Sequence, residues 1–322
     1  MKAIVHDEYG PPEDVLELRD IADPVRKDDE VLLRVHAAGV NWADWATTRG
    51  QPHVMRMVYG LRAPRNRVRG MDVAGTVEAV GINVKRLRPG DEVFGWCTGA
   101  FAELVRTKEG TLVPKPPGLT FEQAAAVPTA GFCALQALRD VAKVRPGQHV
   151  LVNGASGGIG TFAVQIAKVL GAEVTGVCST RNLDLVRSLG ADHVIDYARE
   201  DFTRSGQRYD LILDIADDRS LSERRRVLTP TGTLIPNSGV GGRWIGSVGR
   251  IVKARLLSPF VRHRLRPFLS LPRHKDLVTL AELIEAGDVA PVIDRTYALI
   301  ETPEAVGYVG RGHARGKVVV TV

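Results

Sequence analysis

The sequence predicts an α/β protein of two domains: a β-rich, barrel-like antiparallel domain followed by a doubly wound parallel sheet. Three observations carry this prediction. The chain has 322 residues, more than one hydrophobic core usually serves. Its first 115 residues hold many short apolar and β-branched runs divided by turn residues. From about residue 121 onward, strand-like runs alternate with stretches of helical periodicity.

The elements follow in order. Lys2–His6, Val15–Leu18 and Glu30–Ala38 are strand candidates, divided by Gly10-Pro11-Pro12 and Pro24. Val73–Val80 is another, then Gly90-Asp91-Glu92-Val93-Phe94-Gly95 as a turn and strand, then Phe101–Thr107 and Thr111–Pro114. Phe121–Val127 opens the helical part, and an amphipathic segment follows near Cys133–Lys143. Gln148–Asn153 reads as a buried strand, and Gly157–Leu170 as a helix with Ile159, Ala163, Ile166 and Leu170 on one face. Glu173–Cys178, His193–Asp196, Tyr209–Asp214 and Gly232–Asn237 are further strands, with Leu183–Leu189 a helix among them. Asp276–Ala286 is helical. Val292–Leu299, a short helix near Pro303–Val309 and the strand Lys317–Val322 return to the grammar of the first domain.

Composition narrows the class. A hydrophobic content of 44% with 25% charged residues is that of a soluble globular protein. No run is apolar and long enough to span a bilayer, and the N-terminus turns acidic before any signal-peptide core forms, so a cytoplasmic protein is expected. The three cysteines (Cys97, Cys133, Cys178) are too few and too far apart for a disulfide framework or a metal-binding pair. The net charge of +6 is unevenly spread. Residues 49–69 carry six arginines and no acid, and residues 243–275 carry nine Lys or Arg and no acid. The remainder is net negative, so these stretches are expected to face something anionic. Nucleic acid is not the expected partner, because aromatics make up only 6% of the chain and no stacking motif interleaves with the basic residues.

The strand ending at Asn153 runs into Gly154-Ala155-Ser156-Gly157-Gly158-Ile159-Gly160, and a helix begins inside that run. Glycines let the backbone turn sharply and approach a pyrophosphate, while the helix start offers unpaired N–H groups. Strand, turn and helix fall in the order that a dinucleotide site requires. At the end of the next strand, where NAD-preferring sites place an acid, stands Cys178-Ser179-Thr180-Arg181. Two hydroxyls and a guanidinium suit a 2′-phosphate, and there is no carboxylate to repel it, so the expected cofactor is NADPH (NADP+).

Further motifs extend along nearly the whole chain: Tyr9-Gly10-Pro11-Pro12, Ala38-Gly39-Val40-Asn41 with Asp44, Gly70-Met71-Asp72-Val73-Ala74-Gly75, Arg88-Pro89-Gly90-Asp91-Glu92-Val93 and Gly99-Ala100-Phe101-Ala102-Glu103. To these add Leu189-Gly190-Ala191-Asp192, Val194-Ile195-Asp196-Tyr197 and Gly316-Lys317-Val318-Val319. In these the chain resembles the medium-chain dehydrogenase/reductase superfamily, in its zinc-independent quinone-oxidoreductase branch. The resemblance implies a GroES-like β-barrel catalytic domain over 1–122, completed by 270–322. It also implies a Rossmann NADPH-binding domain over 123–269, with an active site between the two. Zinc-dependent relatives carry Cys where Asn41 stands and a His-Glu pair where Met71-Asp72 stands, and the four-cysteine zinc loop is missing here. Asn and Met are poor substitutes as zinc ligands, so no metal is expected.

The resemblance also supplies candidate contacts. It puts Asn41 near the nicotinamide and ribose, and Tyr59 in the loop lining the substrate side; both also fit a purely structural role. Thr129, Tyr197, Asn237 and Lys317 are implied cofactor neighbours, with Tyr197 approaching the 2′-phosphate beside Ser179 and Arg181. Residues 240–275 stand where simpler relatives run a short sixth Rossmann strand, often used to form a homodimer. Here Ile245, Val248, Val252 and Leu256 make an apolar helical stripe with Arg243, Arg250 and Lys253 opposite. A structural cap, a substrate lid and a membrane-surface helix compete for this basic insertion.

Three functions are carried forward. The leading one is an NADPH-dependent reductase of small-molecule quinones or α,β-unsaturated carbonyls. Hydride delivery to such acceptors needs no Lewis acid, because the charge delocalises onto an existing carbonyl, and the protein supplies orientation and hydrogen bonds. The alternatives are an enoyl-thioester reductase and a non-catalytic NADPH-binding or membrane-associated protein.

Overall fold

The computed structural model describes residues 1–216, 218–237 and 262–322, which form two compact units. The first comprises Met1–Phe132, Pro272–Gly287 and Pro291–Val322; the second comprises Cys133–Leu271 and Asp288–Ala290. The expected stripe of Ile245, Val248, Val252 and Leu256 lies outside the described residues.

The first unit opens with β1 (Lys2–Val5), β2 (Glu17–Asp20), β3 (Glu30–Val40), β4 (Asp72–Val80), β5 (Glu92–Trp96), β6 (Leu104–Lys108) and β7 (Leu112–Pro114). The second unit supplies β8 (His149–Asn153), β9 (Glu173–Cys178), β10 (His193–Asp196), β11 (Tyr209–Asp214), β12 (Leu228–Pro236) and β13 (Arg264–Leu265). The chain then returns to the first unit with β14 (Ile293–Ala298) and β15 (Lys317–Thr321).

β1 and β2 pair with each other, and the main sheet of the first unit runs β14-β15-β3-β4-β5-β7, with β6 also paired to β3. Its pairs are antiparallel except β14 with β15. Alternation in β3 turns Val31, Leu33 and Val35 inward, where they meet Ile4, Val73, Val93, Phe101, Leu112 and Val318. Alternation stops at the end of β3, because Ala37, Ala38 and Val40 are all buried. Helix Phe121–Ala125 closes on this end, so near that a Cβ on Gly39 would stand 2.3 Å from the Ala125 carbonyl oxygen. One strand was expected too early: Pro12–Val15 is a helical turn and β2 starts at Glu17. Proline inside the first turn with Glu13 and Asp14 behind it favours the helical start.

The second unit holds a wholly parallel six-stranded sheet, ordered β10-β9-β8-β11-β12-β13. The order reverses at β8, and ligands bind parallel sheets of this kind at the carboxyl ends beside such a reversal. Leu151, Val177, Ile212, Leu234 and Leu265 form its core. Helix Gly158–Val169 buries Phe162, Ala163, Ile166 and their neighbours. β13 falls inside the basic insertion: Leu265 is buried while Arg264 and Arg266 face outward, the alternation of a strand. Buried Gln136, at the start of the π-helical turn Gln136–Ala142, fastens the end of that insertion. Its amide donates to the Leu271 carbonyl at 2.7 Å and accepts from Ser270 Oγ and the Leu271 N–H.

The approach at Gly39 yields a stability test. Gly39→Ala should lower unfolding free energy by about 1–3 kcal/mol, because the obstacle is backbone that cannot rotate away. Urea unfolding of both proteins measures it, and an unchanged midpoint would contradict the packing described.

Candidate functional site

In the first unit, residues from three places in the chain converge on one fully buried carboxylate, Asp72, the first residue of β4. The Asn41 side-chain amide donates to it at 2.9 Å, from the position just after β3. The Thr129 hydroxyl donates at 2.5 Å and the Thr129 N–H at 3.2 Å. The Lys317 ammonium, from the start of β15, lies 3.6 Å away and is itself buried. Lys317 also donates to Asn41 Oδ1 at 2.5 Å and to the Val40 carbonyl at 3.4 Å. A buried carboxylate without such partners would be strongly destabilising. Asn41 is occupied at both ends of its amide, so it holds Lys317 and Asp72 in register rather than presenting a free donor.

A second buried carboxyl, Asp44, accepts the Asn41 N–H at 2.8 Å. Burial pushes its pKa up to about 7; the Asn41 N–H, Lys317 and Arg69 oppose this, and Asp72 adds to it. Burial and the Asp72 and Asp44 carboxylates hold the Cys97 thiol well above the usual range, so Cys97 is an inert core thiol. His6, also buried, is lowered to about 4 by desolvation and by Arg69.

Tyr59 stands apart from this cluster, half-buried at the end of helix Arg56–Tyr59. Several arginines around it are engaged within the unit. Arg56 lies 4.6 Å from the Tyr9 ring centre and donates to the Gly50 carbonyl. Arg49 lies over Trp45, Arg67 pairs with Asp7 and Arg69 donates to the Thr47 carbonyl. Arg62 and Arg65 are exposed, beside Met57, Val58 and Leu61, which are 69%, 59% and 71% exposed.

In the second unit, Gly154, at φ +89°, turns the chain out of β8 toward helix Gly158–Val169. A Cβ on Gly160 would lie 2.1 Å from the Gly154 carbonyl oxygen, so the turn closes only with glycine there. Ala155 and Ser156 are buried within the turn, and Gly157 caps the helix. The first-turn N–H groups of Gly158, Ile159 and Gly160 have no carbonyl four residues back within the helix. This is the cradle that a pyrophosphate requires. Below it, Asn153 donates to Asp214 and Asp218, both at 2.8 Å, and buried Arg224 pairs with Asp214. The Asn237 N–H donates to the Asp214 carbonyl, and Asn237 Nδ2 is buried with no partner among the described residues.

At the end of β9, Ser179 is half-buried, and Thr180 and Arg181 are exposed. One expectation changes here, since a carboxylate does stand close by. Thr180 donates its hydroxyl to Asp196, at the end of β10, at 2.5 Å. Asp196 also accepts the Ala198 N–H and lies 3.7 Å from Arg199. The Thr180 hydroxyl proton is therefore committed to Asp196. Tyr197 follows Asp196 with its ring half exposed.

Residues 27–117 match the alcohol dehydrogenase GroES-like domain family, and residues 189–320 match the family described as zinc-binding dehydrogenase. The chain is 32% identical to the chloroplastic quinone-oxidoreductase homolog of Spinacia oleracea, over 99% of this chain and 98% of that protein. It is 34% identical to the mitochondrial NAD(P)H oxidoreductase RTN4IP1 of Mus musculus, over 100% and 89%. The solved quinone oxidoreductase from Coxiella burnetii superposes with a TM-score of 0.86 at 31% identity, over 100% of this chain and 99% of that one. The chain belongs to the medium-chain dehydrogenase/reductase superfamily, in its quinone-oxidoreductase branch. Its fold is accordingly a Rossmann-type parallel sheet with a GroES-like domain. The zinc-binding description attaches to a match that begins at residue 189, downstream of Asn41, Met71 and Asp72.

Sequence reasoning brought Asn41, Thr129 and Lys317 forward, and the structure joins all three through Asp72. Asp72 and Asp44 lie inside the sequence motifs without an assigned role; for Asp72 the available signal was an acid at the head of otherwise apolar strand sequence, and for Asp44 an acid in the first turn of helix Trp42–Thr48. Asn182, Asn153 and Asp214 were not singled out, and nothing in their spacing marks them.

The two buried titrating groups set opposite stability trends. Asp44 is raised in the fold, so its contribution is complete below pH 4 and is lost as pH rises through about 7. His6 is lowered, so its contribution is complete above pH 6.5 and is lost as pH falls through about 4. Subtracting the Asp44→Asn unfolding free energy from the wild-type value isolates the first trend. That difference should fall between pH 4.5 and 7 by up to about 1.4 kcal/mol per pH unit. A flat difference from urea titrations would show that Asp44 ionises normally.

Proposed function

We propose that this chain is an NADPH-dependent, zinc-independent oxidoreductase that transfers a hydride to a quinone or an α,β-unsaturated carbonyl. The observation that supports it most is the Asn41–Asp72–Lys317–Thr129 set, standing where zinc-dependent members hold their metal. Asp72 is already saturated by an ammonium, an amide, a hydroxyl and a backbone N–H, so a metal would have to displace all of them. Among the described residues, no group of three or more His, Cys, Asp or Glu is placed to hold a metal ion.

The cofactor fits the second unit. Gly154–Gly160 would cradle its pyrophosphate, and Ser179 and Arg181 would take its 2′-phosphate. When bound, NADPH supplies the hydride. The chain itself would orient the reactants, with Asn41, Asp72 and Lys317 holding one another as a buried, charge-paired support. Exposed Met57, Val58 and Leu61, on the segment that the family likeness assigns to the substrate side, suit an apolar acceptor. A membrane-surface contact through 243–275 belongs to the same reading and is supported by exposed Leu269 and Leu271 beside Arg262, Arg264 and Arg266. Among the described residues no helix is long and apolar enough to cross a membrane. The two relatives are chloroplastic and mitochondrial proteins.

Absorbance assays with NADPH against a panel of small quinones, enones and enoyl thioesters test the reaction class. Turnover of quinones or enones is expected, and turnover of enoyl thioesters alone would replace this proposal by the thioester reading. NADPH should bind more tightly than NADH, and Arg181→Ala should narrow the gap by about 10- to 100-fold, the weight of a charge-assisted phosphate contact. Equal affinities for the two cofactors in the wild type would remove the assignment. Dialysis against a strong chelator should leave the rate unchanged, and a loss restored by zinc would refute the metal-free reading.

A further inference from the structure

Asn182 follows Arg181 and precedes helix Leu183–Ser188, and it is only 4% exposed. Its backbone N–H donates to the Ser179 carbonyl at 2.9 Å, which fixes where its side chain can reach. One nitrogen, Nδ2, then donates to two hydroxyls: Ser156 Oγ at 2.9 Å and Ser179 Oγ at 3.1 Å. Ser156 belongs to the glycine-rich turn after β8, and Ser179 ends β9. The other end of the amide, Oδ1, is buried with no partner among the described residues. An acceptor left unsatisfied in the interior costs stability, which an apolar residue at this position would avoid. The observation calls for a reason, and the two serines supply one.

A serine hydroxyl has one proton to donate and two lone pairs. When Nδ2 fills a lone pair on each serine, neither hydroxyl can spend its proton on Asn182. Both protons stay available, and both oxygens stay in place. We propose that Asn182 is a positioning residue that presents the Ser156 and Ser179 hydroxyls together as donors to the two phosphate-bearing parts of the cofactor, and so couples recognition of the pyrophosphate to recognition of the 2′-phosphate. This rests on the NADPH reading above. Asn182 itself does not touch the anion, since its amide is enclosed.

Isothermal titration with two fragments separates the arms: ADP carries the pyrophosphate, and adenosine 2′,5′-bisphosphate carries the 2′-phosphate. Ser156→Ala should weaken ADP and Ser179→Ala the bisphosphate, each by about 5- to 10-fold, the weight of one phosphate hydrogen bond. Asn182→Ala should weaken both fragments by at least fivefold, and the serine substitutions should then cost less than twofold more in its background. Asn182→Asp keeps the shape but accepts the two hydroxyl protons, so it should weaken both fragments more than Asn182→Ala does. Thermal unfolding of the cofactor-free variants shows that each is folded. Loss of thermal stability in Asn182→Ala with both affinities within twofold of wild type would make the residue merely structural and overturn the inference. Fully additive serine effects in its background would do the same. If the wild type binds ADP but gains nothing from a 2′-phosphate, the NADPH reading has failed instead, and the Ser156 arm alone decides whether Asn182 acts on the turn.

Discussion

A carboxylate with no access to water dictates much of the first unit. Asp72 can remain ionised in the core only if cation and donors reach it from several directions. They arrive from residues far apart in sequence: Asn41, Thr129 and Lys317. Pairing β15 with β3 brings Lys317 next to Val40 and Asn41, so the end of the chain must return to its beginning before the charge is neutralised. Register follows from the same demand, because a one-residue slip of β15 would carry Lys317 to the other face of the sheet. Polar chemistry and β topology are thus one constraint seen twice.

The second unit rests on a steric constraint instead. Helix Gly158–Val169 can start directly at the end of β8 only because Gly160 brings no Cβ to the Gly154 carbonyl. That closeness leaves the helix's first N–H groups facing the carboxyl edge of the sheet. The surrounding side chains then serve the turn: Asn153 and Arg224 pin Asp214 below it, and Asn182 ties Ser156 to Ser179 beside it.

How legible this was in the sequence follows from how local each feature is. The parallel sheet and the glycine-rich turn are written in short contiguous runs, and β8 to β11 fall within a residue of where those runs stand. The expected strand Val15–Leu18 begins too early because Val15 and Leu16 look strand-like unless the preceding proline and acids are weighed as a helix start. β13 was obscured because its two residues lie in a run where apolar and basic residues alternate on several periods at once. The functional constellations were only half legible. Asn41, Thr129 and Lys317 could be named singly, yet Asp72 as their shared partner depends on pairing across nearly the whole chain. Asn182 lay beside the predicted Arg181 and drew no attention, because its two partners are invisible without the turn and β9 in place.

Charge read along the chain is the least transferable signal. Residues 49–69 contain six arginines and no acid, but four of the six are engaged by Trp45, Tyr9, Asp7 and the Thr47 carbonyl, leaving Arg62 and Arg65 outward. The same lesson applies, with opposite sign, at the end of β9. No acid occurs in Cys178-Ser179-Thr180-Arg181, yet Asp196 reaches that place from the neighbouring strand, because β10 pairs in parallel with β9 and Asp196 lies opposite Cys178. What decides its effect is how its lone pairs are filled. Thr180, the Ala198 N–H and Arg199 draw on the carboxylate and hold its pKa below the usual range. An Asp that binds ribose hydroxyls must keep acceptors open toward them. Asp196 has instead turned acceptors to Thr180 and Ala198 of its own chain, and it places at the end of β9 a carboxylate that the tetrapeptide itself lacks.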